Sequence, residues 1–165
     1  MNQDLQFDFH VDKLSKTITI GREFAAELEL VWDAFTKPEL IDQWEATPPL
    51  VSKTKYMDFV VGGQRFYAMG CPDEGENWII QKYTSITPKS SFKFHNYFAD
   101  KDENPQLPGS EWNYHFSEQN GVTKLSITIV NESLERMETM IRNGFQNRFA
   151  LILSLLEKHL KNKYK

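Results

Sequence analysis

The sequence predicts an α+β fold: a curved antiparallel sheet wrapped around one long C-terminal helix, with two short helices after the first strand of the sheet. Three observations predict it. Segments of alternating apolar and polar residues, separated by turn residues, follow one another up to about residue 131. Apolar residues then recur at spacings of three and four from Leu134 to Leu160. The chain has 165 residues, which suits a single domain over 1–165.

The N-terminal segment is predicted to be a β-hairpin over residues 4–24. Every second residue is apolar in 5–11, and the alternation resumes after a polar turn at 13–16. Strand 4–12 is interpreted as an extension of the domain. Its free edge could supply the contact of a homodimer.

Two short helices are predicted next. The segment 26–35 carries apolar residues at helical spacing until Pro38 interrupts it, because proline has no amide proton to donate. Pro38 also suits the first position of a second helix, which runs through Trp44. The pair Pro48-Pro49 ends that helix.

The middle of the chain is predicted to be an antiparallel meander. Its strands are expected at 55–61, 64–71, 77–87, 91–98, 111–118 and 122–130. Asn120-Gly121 is a strong signal for a two-residue hairpin between the last two strands. Gly62-Gly63 is interpreted as a turn or bulge. Residues 100–109, with two prolines and three acids, are predicted to be a longer loop.

The last element is predicted to be one helix of about seven turns, with Ser133 as its N-cap. It is the only element able to cover the apolar face of the meander. A glycine inside a helix costs about 1 kcal/mol relative to alanine. Gly144 therefore indicates either close contact between the helix and the sheet or an unfilled space between them.

Composition and charge exclude several classes of function. A formal net charge of -4 disfavours a nucleic-acid-binding protein. The single cysteine, Cys71, rules out an internal disulfide framework and fits a reducing compartment. No leader or membrane-spanning pattern is found, so a cytoplasmic protein is expected. The four histidines are scattered, and neither a metal site, a cofactor nor a set of catalytic residues is predicted.

Several segments, in order, resemble one known family. They are 19–24 (TIGREF), 31–40 (VWDAFTKPEL), 57–63 (MDFVVGG) and 144–145 (GF). The series resembles the SRPBCC (START-like, birch-pollen-allergen-like) superfamily, and within it the family named for homologues of the heat-shock-protein-ninety ATPase activator. The resemblance runs from Lys16 nearly to the end of the chain, and it implies a helix-grip fold.

Two positions depart from the pattern of that family. Glu45 and Arg65 stand where members often carry aromatic residues. If both face the cavity, as the resemblance implies, a buried charge requires a partner. We predict a salt bridge between Glu45 and Arg65 at the cavity mouth, which would favour a ligand with a polar end. The alternative is that both side chains reach solvent.

The expected function is the binding of a small hydrophobic or amphipathic molecule, without catalysis, in a cavity between the sheet and the C-terminal helix. Aromatic and methionine side chains with a few polar groups are typical of such a pocket, although a solid core is the alternative for each residue. The predicted ligand-binding residues are Trp44, Glu45, Arg65, Tyr67, Met69, Trp112, Tyr114, Met137, Ile141, Phe145 and Phe149.

Two other functions remain open. An enzyme of the polyketide cyclase or hydrolase type would place Glu45, Arg65, Tyr67 or Tyr114 in the pocket as an acid or base. A co-chaperone-like stress-response protein, acting on the heat-shock ATPase, is what the family name suggests.

Overall fold

The computed structural model describes residues 7–71 and 75–162, which form an eight-stranded antiparallel sheet and four helices. The elements in chain order are β1 (Phe7–Asp12), β2 (Thr17–Phe24), α1 (Leu28–Thr36), α2 (Pro38–Trp44), β3 (Val51–Met57), β4 (Gln64–Cys71), β5 (Gly75–Thr87), β6 (Ser91–Ala99), β7 (Pro105–Gln119), β8 (Val122–Asn131), α3 (Leu134–Arg142) and α4 (Phe145–Asn162). Residues 4–6 of the predicted first strand lie outside the described residues, as do 72–74 between the predicted strands 64–71 and 77–87.

The sheet has the strand order β1-β2-β8-β7-β6-β5-β4-β3, and each neighbouring pair is antiparallel. Strands β3 to β8 form the predicted meander, and the N-terminal hairpin joins it through β8. Asn120 and Gly121 both have positive φ, of 54° and 79°, which is the geometry of a tight hairpin turn. The predicted α+β helix-grip fold is confirmed.

The apolar core lies between the inner face of the sheet and the helices. Alternate residues of β7, Phe116 among them, point to this face, and α1 packs Trp32 and Phe35 against Phe116 with ring centroids 5.2 and 5.7 Å away. Leu153 and Leu156 of α4 are completely buried in the same cluster. Removal of these side chains from water is the main force that holds the helices to the sheet.

The C-terminal helix differs from the prediction. Instead of one continuous rod, α3 ends at Arg142 and α4 begins at Phe145. Gly144 has a φ of +86° at the break, a conformation that glycine adopts without steric cost. The predicted cap is confirmed, since the Ser133 hydroxyl accepts a hydrogen bond from the Arg136 amide at 3.2 Å. Among the described residues, no helix is apolar over a length that would cross a membrane.

The predicted loop at 100–109 is also wrong in part, because β7 already begins at Pro105. This first part of β7 pairs with β6, whereas its pairing with β8 begins only at Ser110, opposite Asn131. An unpaired strand edge tolerates proline, since no ladder hydrogen bond is lost there. The prolines that indicated a loop therefore stand in an edge segment of a strand.

The predicted strand at 55–61 is displaced. Strand β3 occupies Val51–Met57, and residues 58–63 form a turn before β4. The turn is closed by hydrogen bonds from the Gly63 amide to the Val60 carbonyl and from the Asp58 amide to the Gln64 carbonyl. Gly62, with a φ of +89°, fits the turn that the glycine pair predicts.

Candidate functional site

A cavity of about 740 Å³ lies between the sheet and α3, at the end where the C-terminal helical segment is broken. Its apolar lining consists of Phe98, Pro108, Trp112, Met140 and Phe145. Its polar and charged lining consists of Asn96, Ser110, Asn131, Ser133, Glu135, Arg136, Thr139, Asn143 and Arg148, with Gly109 beside them. The cavity is partly open to solvent.

Helix α3 covers the cavity with one side. Arg136, Thr139, Met140 and Asn143 follow the spacing i, i+3, i+4, i+7 and so share a face of the helix. Met137, on the adjoining face, is completely buried and fixes α3 to the core. The helix is thus attached by an apolar side chain while a mostly polar face lines the cavity.

The floor of the cavity comes from β6 and β7. The Trp112 indole Nε1 donates a hydrogen bond to the Ser110 hydroxyl at 2.9 Å, which orients the ring along the strand. Phe145, at the start of α4, packs edge-on against Trp112 with ring centroids 6.3 Å apart. The aromatic rings give the cavity a rigid apolar surface for contact with a hydrophobic group.

Two arginines bring positive charge to the cavity. The Arg136 guanidinium carbon lies 5.3 Å from the centroid of the Phe98 ring, a cation–π arrangement. Arg148 lies at the end of the first turn of α4 and is exposed. Glu135 supplies the acidic group in the lining, and it is exposed as well.

The predicted ligand-binding residues fall into different parts of the structure. The cavity is lined by Trp112 and Phe145. The apolar core contains Trp44, Tyr114, Met137 and Phe149, with Ile141 packed against it. Glu45, Arg65 and Tyr67 form a buried group between α2, β3 and β4. Met69 is half-buried on β4, outside the core cluster.

The predicted pairing of Glu45 with Arg65 is confirmed by the geometry. Arg65 Nη2 donates to Glu45 Oε1 at 2.9 Å, and Nη1 donates to Oε2 at 3.1 Å. Nη2 also lies 3.0 Å from Asp42 Oδ1, and Nε donates to the Thr54 hydroxyl at 3.0 Å. We call Asp42, Glu45, Ser52, Thr54 and Arg65 the arginine cluster. The expected location at the cavity mouth is wrong, since Arg65 is 0% exposed and neither partner lines the cavity.

The arginine cluster holds its charge firmly. Burial is the largest single influence and opposes the positive charge of Arg65, but the attraction of Glu45 and Asp42 and the hydrogen bond to Glu45 together outweigh it and raise the pKa of the guanidinium. The guanidinium carbon also lies 3.7 Å from the centroid of the Tyr67 ring. Carboxylates, hydroxyls and a ring thus surround this guanidinium, and that environment fits a structural role.

Three tyrosines lie in the interior close enough to this cluster to sense its charge. Burial raises the pKa of Tyr67, Tyr83 and Tyr114, and the negative charge of Glu45 raises each further. Burial therefore keeps these three phenols neutral.

Sequence reasoning missed most of the cavity, including Arg136, Arg148 and Asn96. In the sequence, the polar residues of α3 have the spacing of the solvent-exposed face of an ordinary helix. They therefore did not indicate a binding site. The helical spacing of Arg136, Thr139 and Asn143 becomes informative only after the break at Gly144 is known. Asp42 was also missed, although it stands three residues before Glu45 and hence on the same side of α2.

Within the described ranges, no group of three or more histidine, cysteine, aspartate or glutamate side chains is arranged to hold a metal ion. The cavity lining contains neither histidine nor cysteine. The Ser110 hydroxyl accepts a hydrogen bond from Trp112, and the Ser133 hydroxyl accepts one from the Arg136 amide. Among the described residues, no hydroxyl of the lining donates to a carboxylate, which is the contact that would mark a nucleophile–base pair.

Comparisons with known proteins agree with this architecture. Residues 25–161 match the family described as Activator of Hsp90 ATPase homolog 1-like protein. Protein Ms6760 from Mycobacterium smegmatis is 26% identical, with a TM-score of 0.85 over 94% of this chain and 96% of that one. A protein from Arthrobacter aurescens is 22% identical, with a TM-score of 0.86 over 94% of this chain and 91% of that one. CalU16 from Micromonospora echinospora is 19% identical, with a TM-score of 0.62 over 97% of this chain and 77% of that one. The last two likenesses show the fold alone. A search of curated protein sequences gave no match.

Proposed function

The chain belongs to the family of Activator of Hsp90 ATPase homolog 1-like proteins, and from this premise we propose that it binds a small amphipathic molecule in the cavity beneath α3 without transforming it. The observation that carries the proposal is the cavity itself, about 740 Å³ in volume. Small-molecule pockets have volumes of about 300–1,000 Å³. The combination of an aromatic floor with polar groups above it suits a molecule that has an apolar body and a polar end.

The packing of the interior favours ligand binding in the cavity beneath α3 over binding in the apolar core. The region under α1 and α4 is filled by interlocking rings and aliphatic side chains such as Phe35, Phe116 and Leu153. A ligand there would have to displace packed core residues, which costs free energy. The cavity beneath α3 requires no such displacement.

The proposal can be tested with N-phenyl-1-naphthylamine, a neutral aromatic dye that becomes fluorescent in apolar surroundings. We expect saturable binding with one site per chain. Thr139→Trp should abolish it, since Thr139 lines the cavity from an exposed position and its enlargement fills the space without disturbing the core. Gln146→Trp is the matched control, because Gln146 is exposed on α4 and does not line the cavity.

Equal binding by Thr139→Trp and the unchanged protein, or no saturable binding at all, would overturn the proposal. Circular dichroism and thermal unfolding of both variants must match those of the unchanged protein. Native mass spectrometry of freshly purified protein is a second test, in which a co-purified molecule should be present and should be lost in Thr139→Trp.

A further inference from the structure

The cavity carries an excess of positive charge on a protein that is acidic as a whole. The formal net charge of the chain is -4, yet the lining contains two arginines, Arg136 and Arg148, and one acid, Glu135. The two arginines come from helices on opposite sides of the break at Gly144. The two guanidinium groups therefore flank the cavity from separate helices.

The pairing state of these two arginines differs from that of Arg22 and Arg65, although the exposed Arg142 also lacks a carboxylate partner within the part of the chain that the structure describes. Arg65 is paired with Glu45 and Asp42 at 2.9 and 3.0 Å, and Arg22 lies 3.5 Å from Glu157. Among the described residues, neither Arg136 nor Arg148 forms a salt bridge with a carboxylate. Their guanidinium donors remain available to a group that enters from solvent.

Arg136 is positioned against the apolar part of the cavity. It is half-buried, and its guanidinium stacks over the Phe98 ring at 5.3 Å. Phe98 is itself 41% exposed and lines the same cavity. A planar guanidinium held over a ring is pre-organised for a bidentate hydrogen bond to an oxyanion.

Deepening the proposed function, on which it rests, we propose that the bound molecule is an organic acid with an apolar body, whose oxyanion is bound by Arg136 and Arg148 while the body contacts Trp112 and Phe145. A cationic ligand would be repelled by both guanidinium groups. A neutral ligand would leave them without a partner. Glu135 is the one acid of the lining against two arginines, so the lining keeps a net positive charge.

The test uses two dyes that share one ring system and differ only in charge. N-phenyl-1-naphthylamine is neutral, and 8-anilino-1-naphthalenesulfonate is the same molecule with a sulfonate. We expect the sulfonate to bind at least roughly tenfold more tightly, since hydrogen bonds to charged groups are stronger than neutral ones. Its affinity should fall with added salt, whereas that of the neutral dye should not.

Substitutions then assign the effect to the two arginines. Arg136→Met and Arg148→Met keep an unbranched apolar side chain and remove the charge, so each should weaken sulfonate binding by roughly tenfold and change binding of the neutral dye much less. Lys158→Met is the matched control, because Lys158 is an exposed cation of α4 outside the cavity lining. Arg136→Lys should retain part of the preference, since it keeps the charge but not the planar fork.

The outcomes separate this inference from the proposed function. If both dyes bind in the cavity with equal affinity, or if the arginine variants lose both dyes equally, the acidic-ligand inference is wrong and the cavity proposal stands. If neither dye shows saturable binding that Thr139→Trp abolishes, the proposed function fails and this inference fails with it. Sulfonate binding that persists in Thr139→Trp counts against both.

Discussion

Arg65 and Glu45 lie on different elements, and two hydrogen bonds of 2.9 and 3.1 Å join the guanidinium of one to both carboxylate oxygens of the other. Asp42 approaches the same guanidinium from one turn earlier in α2, at 3.0 Å. The pair attaches α2 to strand β4, with the Arg65 side chain fully buried and the carboxylates of Glu45 and Asp42 only partly exposed. An unpaired charge at this position would cost free energy of folding, so the geometry of the pair fits a structural role.

We predict that Arg65→Met lowers the free energy of unfolding by about 3–5 kcal/mol, since it leaves the carboxylates of Asp42 and Glu45 near each other without their cation. Chemical denaturation measures the effect. Lys53→Met is the control, because Lys53 is an exposed residue of β3, and its loss should change stability by less than about 0.5 kcal/mol. Arg65→Met/Glu45→Gln should be less destabilised than the sum of the single variants. A loss below about 1 kcal/mol in Arg65→Met would show that the pair contributes little.

We predict that stability falls in alkaline solution because of the buried tyrosines. In an unfolded chain a tyrosine has a pKa of about 10. Burial raises the pKa of Tyr67, Tyr83 and Tyr114 in the folded state, so the folded protein holds these protons more tightly. The stabilisation is complete below pH about 10 and is lost as the pH rises above it, by up to about 1.4 kcal/mol per pH unit for each group.

Urea denaturation over a pH series, with tyrosinate absorbance as a second signal, checks this prediction. The absorbance of the three phenolates should appear together with unfolding. Tyr114→Phe removes one of the groups and should make the alkaline loss of stability less steep. Ionisation of every tyrosine in the folded protein at pH about 10 would contradict the assignment.

The sequence allowed much of this fold to be predicted because the signals that carry it are local. Alternation in β2 and β8, Pro38 at the start of α2, and the positive-φ pair Asn120-Gly121 each act over a few residues. The salt bridge between Glu45 and Arg65 was predictable for another reason, since two charges expected on one inner face must pair.

The cavity was not predictable, because its position depends on where the terminal helix breaks. Ile141 and Phe145 keep a spacing of four across Gly144, so the apolar periodicity is the same for one helix and for two. The early start of β7 was hidden for a similar reason. Pro105 and Pro108 indicate a loop unless the segment is known to have a free edge toward β8.

We predict that α3 opens more readily than α4. Met137 is the buried residue of α3, whereas Leu153, Leu156 and Leu160 bury one face of α4. Hydrogen exchange should therefore be faster in peptides from 134–142 than in those from 150–160, because local opening of α3 exposes less apolar surface. Met137→Ala should increase exchange in α3 further, whereas Leu151→Ala, at a residue of α4 that is 57% exposed, should not. Equal protection of the two helices would contradict this view of α3.

The break between α3 and α4 depends on the backbone of Gly144, and this leads to the last prediction. A Cβ atom at this position would meet nothing within 4 Å, so a substitution there costs no packing. The φ of +86° nevertheless strains any L-amino acid. Gly144→Ala should lower the free energy of unfolding by about 1–2 kcal/mol, and Gly144→Asn by less, since asparagine tolerates positive φ better.

Gly21→Ala is the control in β2, where an added Cβ lies 3.5 Å from Asp8 Oδ2 in ordinary contact and φ is not positive. That variant should be neutral or slightly stabilising, because glycine is unfavourable inside a strand. Gly144→Ala could instead prove as stable as the unchanged protein and bind N-phenyl-1-naphthylamine equally well. The break between α3 and α4 would then not depend on glycine, and the packing of Met137 and Phe145 would determine the shape of the cavity beneath α3.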